Sequence, residues 1–190
     1  MEDQKTAPIL QRKSSNKEEL LKIFQKIIPD QSWRLLEVGT GSGHHAVHIS
    51  AKLKHLQWVT SDLPVRHSAI KKTLQAAALP NVHGPLAYEV GKDDFPKQKL
   101  NAVFASQLLH TISWKQAKTL IKALGNRLRE GSQVLLYGPF SYGDSINTAP
   151  NIRSFENILK AMNNSGFALK KDFTLEGNNH LLYFVRLKHE

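Results

Sequence analysis

No cysteine occurs anywhere in the sequence. That absence excludes disulfides, thiolate metal sites and a cysteine nucleophile at once. Long apolar runs are missing too, and none has the length needed to cross a bilayer. The stretch "MEDQKTAPILQRKSSNKEE" lacks an apolar core and a cleavage-site pattern. The sequence therefore predicts no secretory signal and a cytoplasmic location. Internal repeats and low-complexity segments are also absent. Acidic residues are scarce: 16 Asp and Glu stand against 26 Lys and Arg, for a formal net charge of +10. Such an excess raises the question of a nucleic-acid partner. The basic residues are scattered, however, in runs no longer than pairs such as Lys71–Lys72 and Lys170–Lys171. Lys115, Lys118, Lys122, Arg127 and Arg129 fall along one expected helix and read as a solvated face. Charge alone permits nucleic-acid binding; its distribution does not favour it.

What is present alternates regularly. Apolar segments that read as strands are "WRLLEV" (33–38), "LQWVTS" (56–61), part of "NVHGPLAYEV" (81–90), "LNAVFAS" (100–106) and "QVLLYG" (133–138). Two more, "ALKKDFTL" (168–175) and "HLLYFVRL" (180–187), flank "EGNN", a hairpin signal. Helices are expected between them. The first starts at Ser15 and Glu18, which have capping-box spacing, and ends before Pro29. Others are expected at 44–53, at 65–78, from a second capping box (Ser113 and Gln116) to Leu128, and at 152–164. Between the last two, "SYGDSINTAPN" reads as a loop. The pattern predicts an α/β fold: a mostly parallel sheet of seven strands, an antiparallel hairpin strand at one edge, and an added N-terminal helix. At 190 residues the chain suits one domain, expected at 13–190 behind a flexible tail at 1–12.

The segment "LLEVGTGSGHH" (35–45) places three glycines after the first strand, where such sheets bind ligands. Gly39 and Gly41 permit backbone angles and close approach that a Cβ would block, and Gly43 lets the next helix pack close. A dinucleotide turn would put its third glycine at 44, which is His44. Glu37, two residues before Gly39, would repel a pyrophosphate. It suits a ligand with a cationic amine and no phosphate, and S-adenosylmethionine meets that description. Glu37 is expected to face the amine, directly or through water, while backbone N–H groups around Thr40 take the carboxylate. Asp62 ends the second strand, where an acid binds a ribose diol; the bland reading is a helix cap before Pro64. Glu89, after the third strand, is a candidate for the adenine edge or a plain surface acid. His44 and His48 share a helix face, but no carboxylate or cysteine nearby completes a set, so no metal site is expected.

Together these stretches are familiar. "LLEVGTGSGHHAVHIS", "WVTSD", "LHTISW", "YGPF" and "GNNHLLYFVR" resemble a poorly characterised family of class I methyltransferase-like proteins of bacteria and animals that depend on S-adenosylmethionine. Its patterns "LEVASGSGQHAxHFA", "WQPSD", "NMxHISPW", "YGPF" and "MPANNLxLVFR" run in the same order. The resemblance implies a Rossmann-like class I fold. It carries over Glu37, Gly39, Gly41, Gly43, His45 and Asp62 as cofactor residues, with Glu89 where the family has Asp. It places Ser106 and Gln107 on the methionine side of the pocket. It also implies that Asn16, Trp114, Tyr137, Phe140, Asn178 and Asn179 wall a substrate pocket. The family's "WGxRD" element is missing here, which bears on substrate and activity more than on fold.

Methyl transfer from a sulfonium needs alignment and, for some acceptors, a base. His110, just past the fourth strand, is the candidate base; its plain alternative is a loop histidine bound to backbone. Pyrimidine C5 methylation would need the missing cysteine. The loop "SQLLHTISW" also lacks the prolines usual in exocyclic-amine methylation of bases. The expectation is a methyltransferase for an unknown small molecule, with S-adenosylhomocysteine as product. The rivals are a non-catalytic binder of the same cofactor and an RNA or protein methyltransferase. Glu37 and His44 argue against a nicotinamide oxidoreductase.

Overall fold

The computed structural model describes residues 9–143 and 152–188. In chain order its elements are α1 (Ile9–Ile27), β1 (Trp33–Val38), α2 (His44–Ser50), β2 (Leu56–Asp62), α3 (His67–Ala77), β3 (Val82–Ala87) and β4 (Ala102–Ser106). Then come α4 (Trp114–Arg127), β5 (Gln133–Ser141), the short β6 (Arg153–Ser154), α5 (Phe155–Asn164), β7 (Phe167–Leu175) and β8 (Asn179–Arg186). The sheet order is β3-β2-β1-β4-β5-β8-β7, with β6 paired to β5. β1 to β5 run parallel, and β8 runs antiparallel between β5 and β7. The antiparallel strand therefore lies one place in from the edge, and β7 covers it.

The order reverses at β1, between β2 and β4, so the glycine turn stands at the topological switch point. Alternate residues of each strand feed two apolar layers. Leu35, Trp58, Ala102 and Phe104 face α1 and α2, where Phe24 stacks on Trp58 at 5.7 Å and meets Phe104 edge-on at 5.3 Å. Leu36, Val38, Val103 and Ala105 face α4 and α5. The β3–β4 connection carries no helix; Tyr88, Val90, Phe95 and Leu100 bury themselves in its place. The outer strands are irregular. β3 contains Gly84–Pro85 and a register shift against β2, and β7 has a shift at its exposed Lys170 and Lys171.

Several boundaries differ from expectation. α1 begins at Ile9 and runs through Ser15, so Ser15 is not a cap. The buried face made by Leu20, Leu21, Phe24 and Ile28 anchors that helix without one. Of the expected tail, residues 1–8 lie outside the described set. α2 stops at Ser50, and the helix expected at 65–78 opens as a 3-10 turn at Pro64–Arg66. The capping box at Ser113 and Gln116 forms as expected. α5 starts at Phe155, capped by the Ser154 hydroxyl accepting from Asn157 N–H. The loop between β5 and β6 lies partly outside the described residues. Among those described, no helix is long and apolar enough to cross a membrane.

Candidate cofactor site

Short hydrogen bonds weld the glycine turn to the end of β2. Gly39 and Thr40 N–H donate to Ser61 O at 3.0 and 3.1 Å. The Ser61 amide donates to the Thr40 hydroxyl at 3.1 Å, and the Ser61 hydroxyl donates to Glu37 O at 2.7 Å. Gly41 N–H then donates to Asp62 Oδ2 at 2.7 Å, and Leu63 N–H to Asp62 Oδ1 at 2.7 Å. Gly39 and Gly41 have φ of +73° and +66°, the left-handed region where side chains are strained. A Cβ on Gly41 would meet nothing within 4 Å, whereas one on Gly39 would lie 2.8 Å from Leu108 Cδ1. Gly43 faces Thr73 and Leu74 of α3 rather than the sheet.

Above this turn opens a cleft of about 460 Å³. Gly39 and Gly41 form its floor, and Asp62, Leu63 and Arg66 form one wall. Tyr88, Glu89 and Val90 close one end, and Ser106 and Gln107 stand opposite. Leu108, Thr111, Ile112 and Gln116 complete it. Six of the expected cofactor residues thus converge: Gly39, Gly41, Asp62, Glu89, Ser106 and Gln107. Asp62 is almost buried, with Arg66 Nε 3.9 Å away. Glu89 pairs with Lys92 Nζ at 3.1 Å.

The remaining candidates sit elsewhere. Glu37 does not border the cleft. It is fully buried beneath the turn, where Trp58 Nε1–H donates to its Oε2 at 3.0 Å. Burial pushes its pKa up to about 8, against the hydrogen bonds of Trp58 and Thr40 and with the help of the Asp62 charge. The pleat turns its side chain toward Trp58, so it does not reach the cleft directly. His45 also lies off the cleft, edge-on to Phe104 at 5.9 Å and to Tyr137 at 6.1 Å. Burial, then the charges of Lys17, His48 and His44, lower its pKa to about 4, so it is neutral near pH 7. Thr40 and Gly43 shape the turn without lining the cleft.

The expected substrate residues split into two groups. Asn16 Nδ2–H donates to the Tyr137 hydroxyl at 2.9 Å and to Glu176 O at 3.2 Å, tying α1 to β5 and the hairpin. Burial raises the Tyr137 pKa, and the Asn16 bond opposes it. Asn179 Oδ1 accepts from Gln107 Nε2–H at 3.1 Å, so it touches a residue of the cleft. Asn178, at φ +58°, shapes the hairpin. Phe140 and Trp114 do not make an aromatic wall. Phe140 is a core residue at 2% exposure, and Trp114 anchors the start of α4 against that core. His110 does not border the cleft either. Its ring lies against Gly138 and sits 5.6 Å from Phe140.

Among the described residues no three His, Asp or Glu are grouped to hold a metal, and His48 Nε2 pairs with Glu18 at 3.2 Å. The apolar cleft residues Leu63, Tyr88, Val90, Leu108 and Ile112 were not expected. Their only sequence signal is adjacency to the strand-end residues Asp62, Glu89 and Gln107.

Comparison with solved structures gives the same architecture. The chain is similar to the S-adenosylmethionine-dependent methyltransferase SibL, with 20% identity and a TM-score of 0.72 over 90% of this chain and 56% of that one. It is similar to an O-methyltransferase family 2 protein from Planctomyces limnophilus, solved with apigenin, at 16% identity and TM-score 0.72. That match covers 92% of this chain and 63% of the other. It is similar to the [4+2]-cyclase SpnF at 13% identity and TM-score 0.79, covering 99% of this chain and 85% of that one. The chain thus spans less than two thirds of the length of the first two. At these identities the likeness establishes the fold, that of class I methyltransferases. One family model matches residues 5–186, and the chain belongs to that family, described as a protein of unknown function (DUF938).

Proposed function

We propose that this chain is an S-adenosylmethionine-dependent methyltransferase acting on a small molecule. One observation carries the reading: the cleft at the carboxyl ends of the parallel strands gathers Gly39, Gly41, Asp62, Glu89, Ser106 and Gln107. Its volume of about 460 Å³ is that of a small-molecule pocket. The donor set fits the cofactor. Each Asp62 oxygen is fixed by one backbone N–H and keeps lone-pair capacity for a ribose hydroxyl. Glu89 supplies an acceptor for an adenine amine. The backbone of Gly39 and Gly41, with no Cβ in the way, permits close approach of a polar tail. When bound, S-adenosylmethionine supplies an electrophilic methyl on a sulfonium.

The protein then has to orient a nucleophile and take its proton. Ser106 and Gln107 stand on the side where an acceptor would meet the methyl, and Gln107 is steadied by Asn179. Asn16 and Tyr137, outside the cleft lining, tie α1 to β5 nearby. His110 keeps the chemistry of a base, but its ring packs on the β5 side of the turn. That placement favours one second reading, a protein that binds the cofactor without transferring its methyl. The cyclase SpnF has this fold and a reaction of another kind. A positive surface serving RNA or protein acceptors predicts binding that weakens steeply with salt.

The test is calorimetric titration with S-adenosylmethionine, S-adenosylhomocysteine and NAD. Micromolar binding of the first two, no binding of NAD, and loss of binding in Asp62→Ala and Gly41→Val are expected. Folded protein that binds neither adenosyl compound would end the cofactor reading.

A further inference from the structure

Arg153 lies in β6, paired with Phe140 of β5, directly before α5. Its guanidinium is half-buried, and no carboxylate among the described residues pairs with it. Both of its bonds go to main-chain carbonyls instead. Nε–H donates to Leu109 O at 2.8 Å, and a terminal N–H donates to Ile112 O. These carbonyls belong to the turn that follows β4, which includes the 3-10 segment Leu108–His110.

The turn is anchored at its start, where Gln107 N–H donates to Tyr137 O at 2.7 Å, and by buried Leu109; the carbonyls of Leu109 and Ile112 take their side-chain bonds from Arg153. Its own backbone bonds use the carbonyls of Gln107 and Leu108, two of them at 3.3 Å. A single 3-10 turn has poor hydrogen-bond geometry and does not hold itself. Gln107 enters it in the left-handed region, at φ +57°. Yet the turn places Leu108, Thr111 and Ile112 on the cleft, and Leu108 hangs directly over Gly39. A shift of Leu108 would change the space above the glycine floor. The planar fork of an arginine reaches two carbonyls at once, which a single lysine ammonium on a flexible stem is poorly suited to do.

We infer that Arg153 is a positioning residue for cofactor binding: its fork between Leu109 O and Ile112 O holds the turn after β4 at the width the cofactor needs. The inference rests on the reading of the cleft as an S-adenosylmethionine site.

Titration calorimetry with S-adenosylhomocysteine tests it on wild type, Arg153→Lys and Arg153→Ala, with and without methylguanidinium chloride against matched sodium chloride. A loss of about tenfold in affinity is expected for both variants, the scale of one or two charge-assisted hydrogen bonds. Methylguanidinium should restore Arg153→Ala to within about threefold of wild type and leave wild type unchanged. Circular dichroism reports whether each variant is folded. Unchanged affinity in a folded variant overturns the inference. So does a loss that methylguanidinium fails to restore, because a purely structural arginine predicts that result. If Arg153→Ala does not fold, Arg153→Lys decides alone: wild-type affinity overturns the inference, and reduced affinity with an unchanged melting temperature supports it. Wild-type protein that binds no S-adenosylhomocysteine removes the cofactor reading and this inference with it, an outcome distinct from the others.

Discussion

Around the glycine turn, hydrogen bonds join residues 21 positions apart, as from Gly41 to Asp62 and from Trp58 to Glu37. Around β5 and β8 they join residues 72, 121 and 160 apart: Gln107 to Asn179, Asn16 to Tyr137, and Asn16 to Glu176. The first region is one strand–turn–helix–strand unit that carries its own geometry. The second is assembled from α1, the turn after β4, β5 and the last hairpin, and it exists only when the whole sheet is closed. The geometry of the glycine turn therefore rests on a local motif, while the arrangement around β5 and the last hairpin depends on global packing.

The largest test removes a core residue that both regions pack against. Phe104 on β4 touches Phe24, Trp58 and His45. Phe104→Ala should cost about 3–5 kcal/mol in urea denaturation. A single transition common to fluorescence and circular dichroism is expected; separate transitions would mean that the two regions fold independently. Next comes Glu37→Gln, which probes the local end. Because the Glu37 pKa is raised from 4.5 to about 8 on folding, the folded state holds its proton more tightly. Stability from this group is full below about pH 4.5 and is lost as pH rises to about 8, then levels off. Melting temperatures from pH 5 to 9 should fall more gently in Glu37→Gln than in wild type; equal slopes would place another group in control. A double-mutant cycle of Asn16→Ala and Tyr137→Phe addresses the long-range end. Coupling of about 1 kcal/mol is expected, with S-adenosylhomocysteine affinity kept within about twofold. A tenfold loss of affinity would erase the distinction between the regions. Smallest is Lys92→Ala, whose exposed pair with Glu89 should contribute under about 0.5 kcal/mol to stability.

The same contrast explains what could be read in advance. Every strand of the main sheet path was legible, because apolar runs bounded by turn formers are local signals; β6, at Arg153–Ser154, was read as the start of a helix. The second capping box was legible for the same reason, and so was the meeting of Gly39, Gly41 and Asp62 at one cleft. The Trp58 partner of Glu37 was not legible: sequence spacing cannot tell which face of the pleat carries Trp58. Ser15 offered a cap that an apolar helix face made unnecessary. Phe140 and His110 looked available because they stand in loop-like stretches. β5 in fact extends to Ser141 and draws both against the core layer of α4 and α5. Arg153 gave no signal, since its partners are carbonyls more than forty positions away.

The two outer strands close the sheet in a second sense. An open sheet offers unpaired N–H and C=O groups to any neighbouring chain. On one side Pro85 has no N–H to lend, and the register shift of β3 bends the strand away from a flat template. On the other, exposed Lys170 and Lys171 sit at the irregularity of β7, where an incoming strand would have to bury their charge. With a net charge of +10 added, copies of this chain repel one another at the places where they could otherwise join edge to edge. Neutralising substitutions at Lys170 and Lys171 would turn that margin into a route to aggregation.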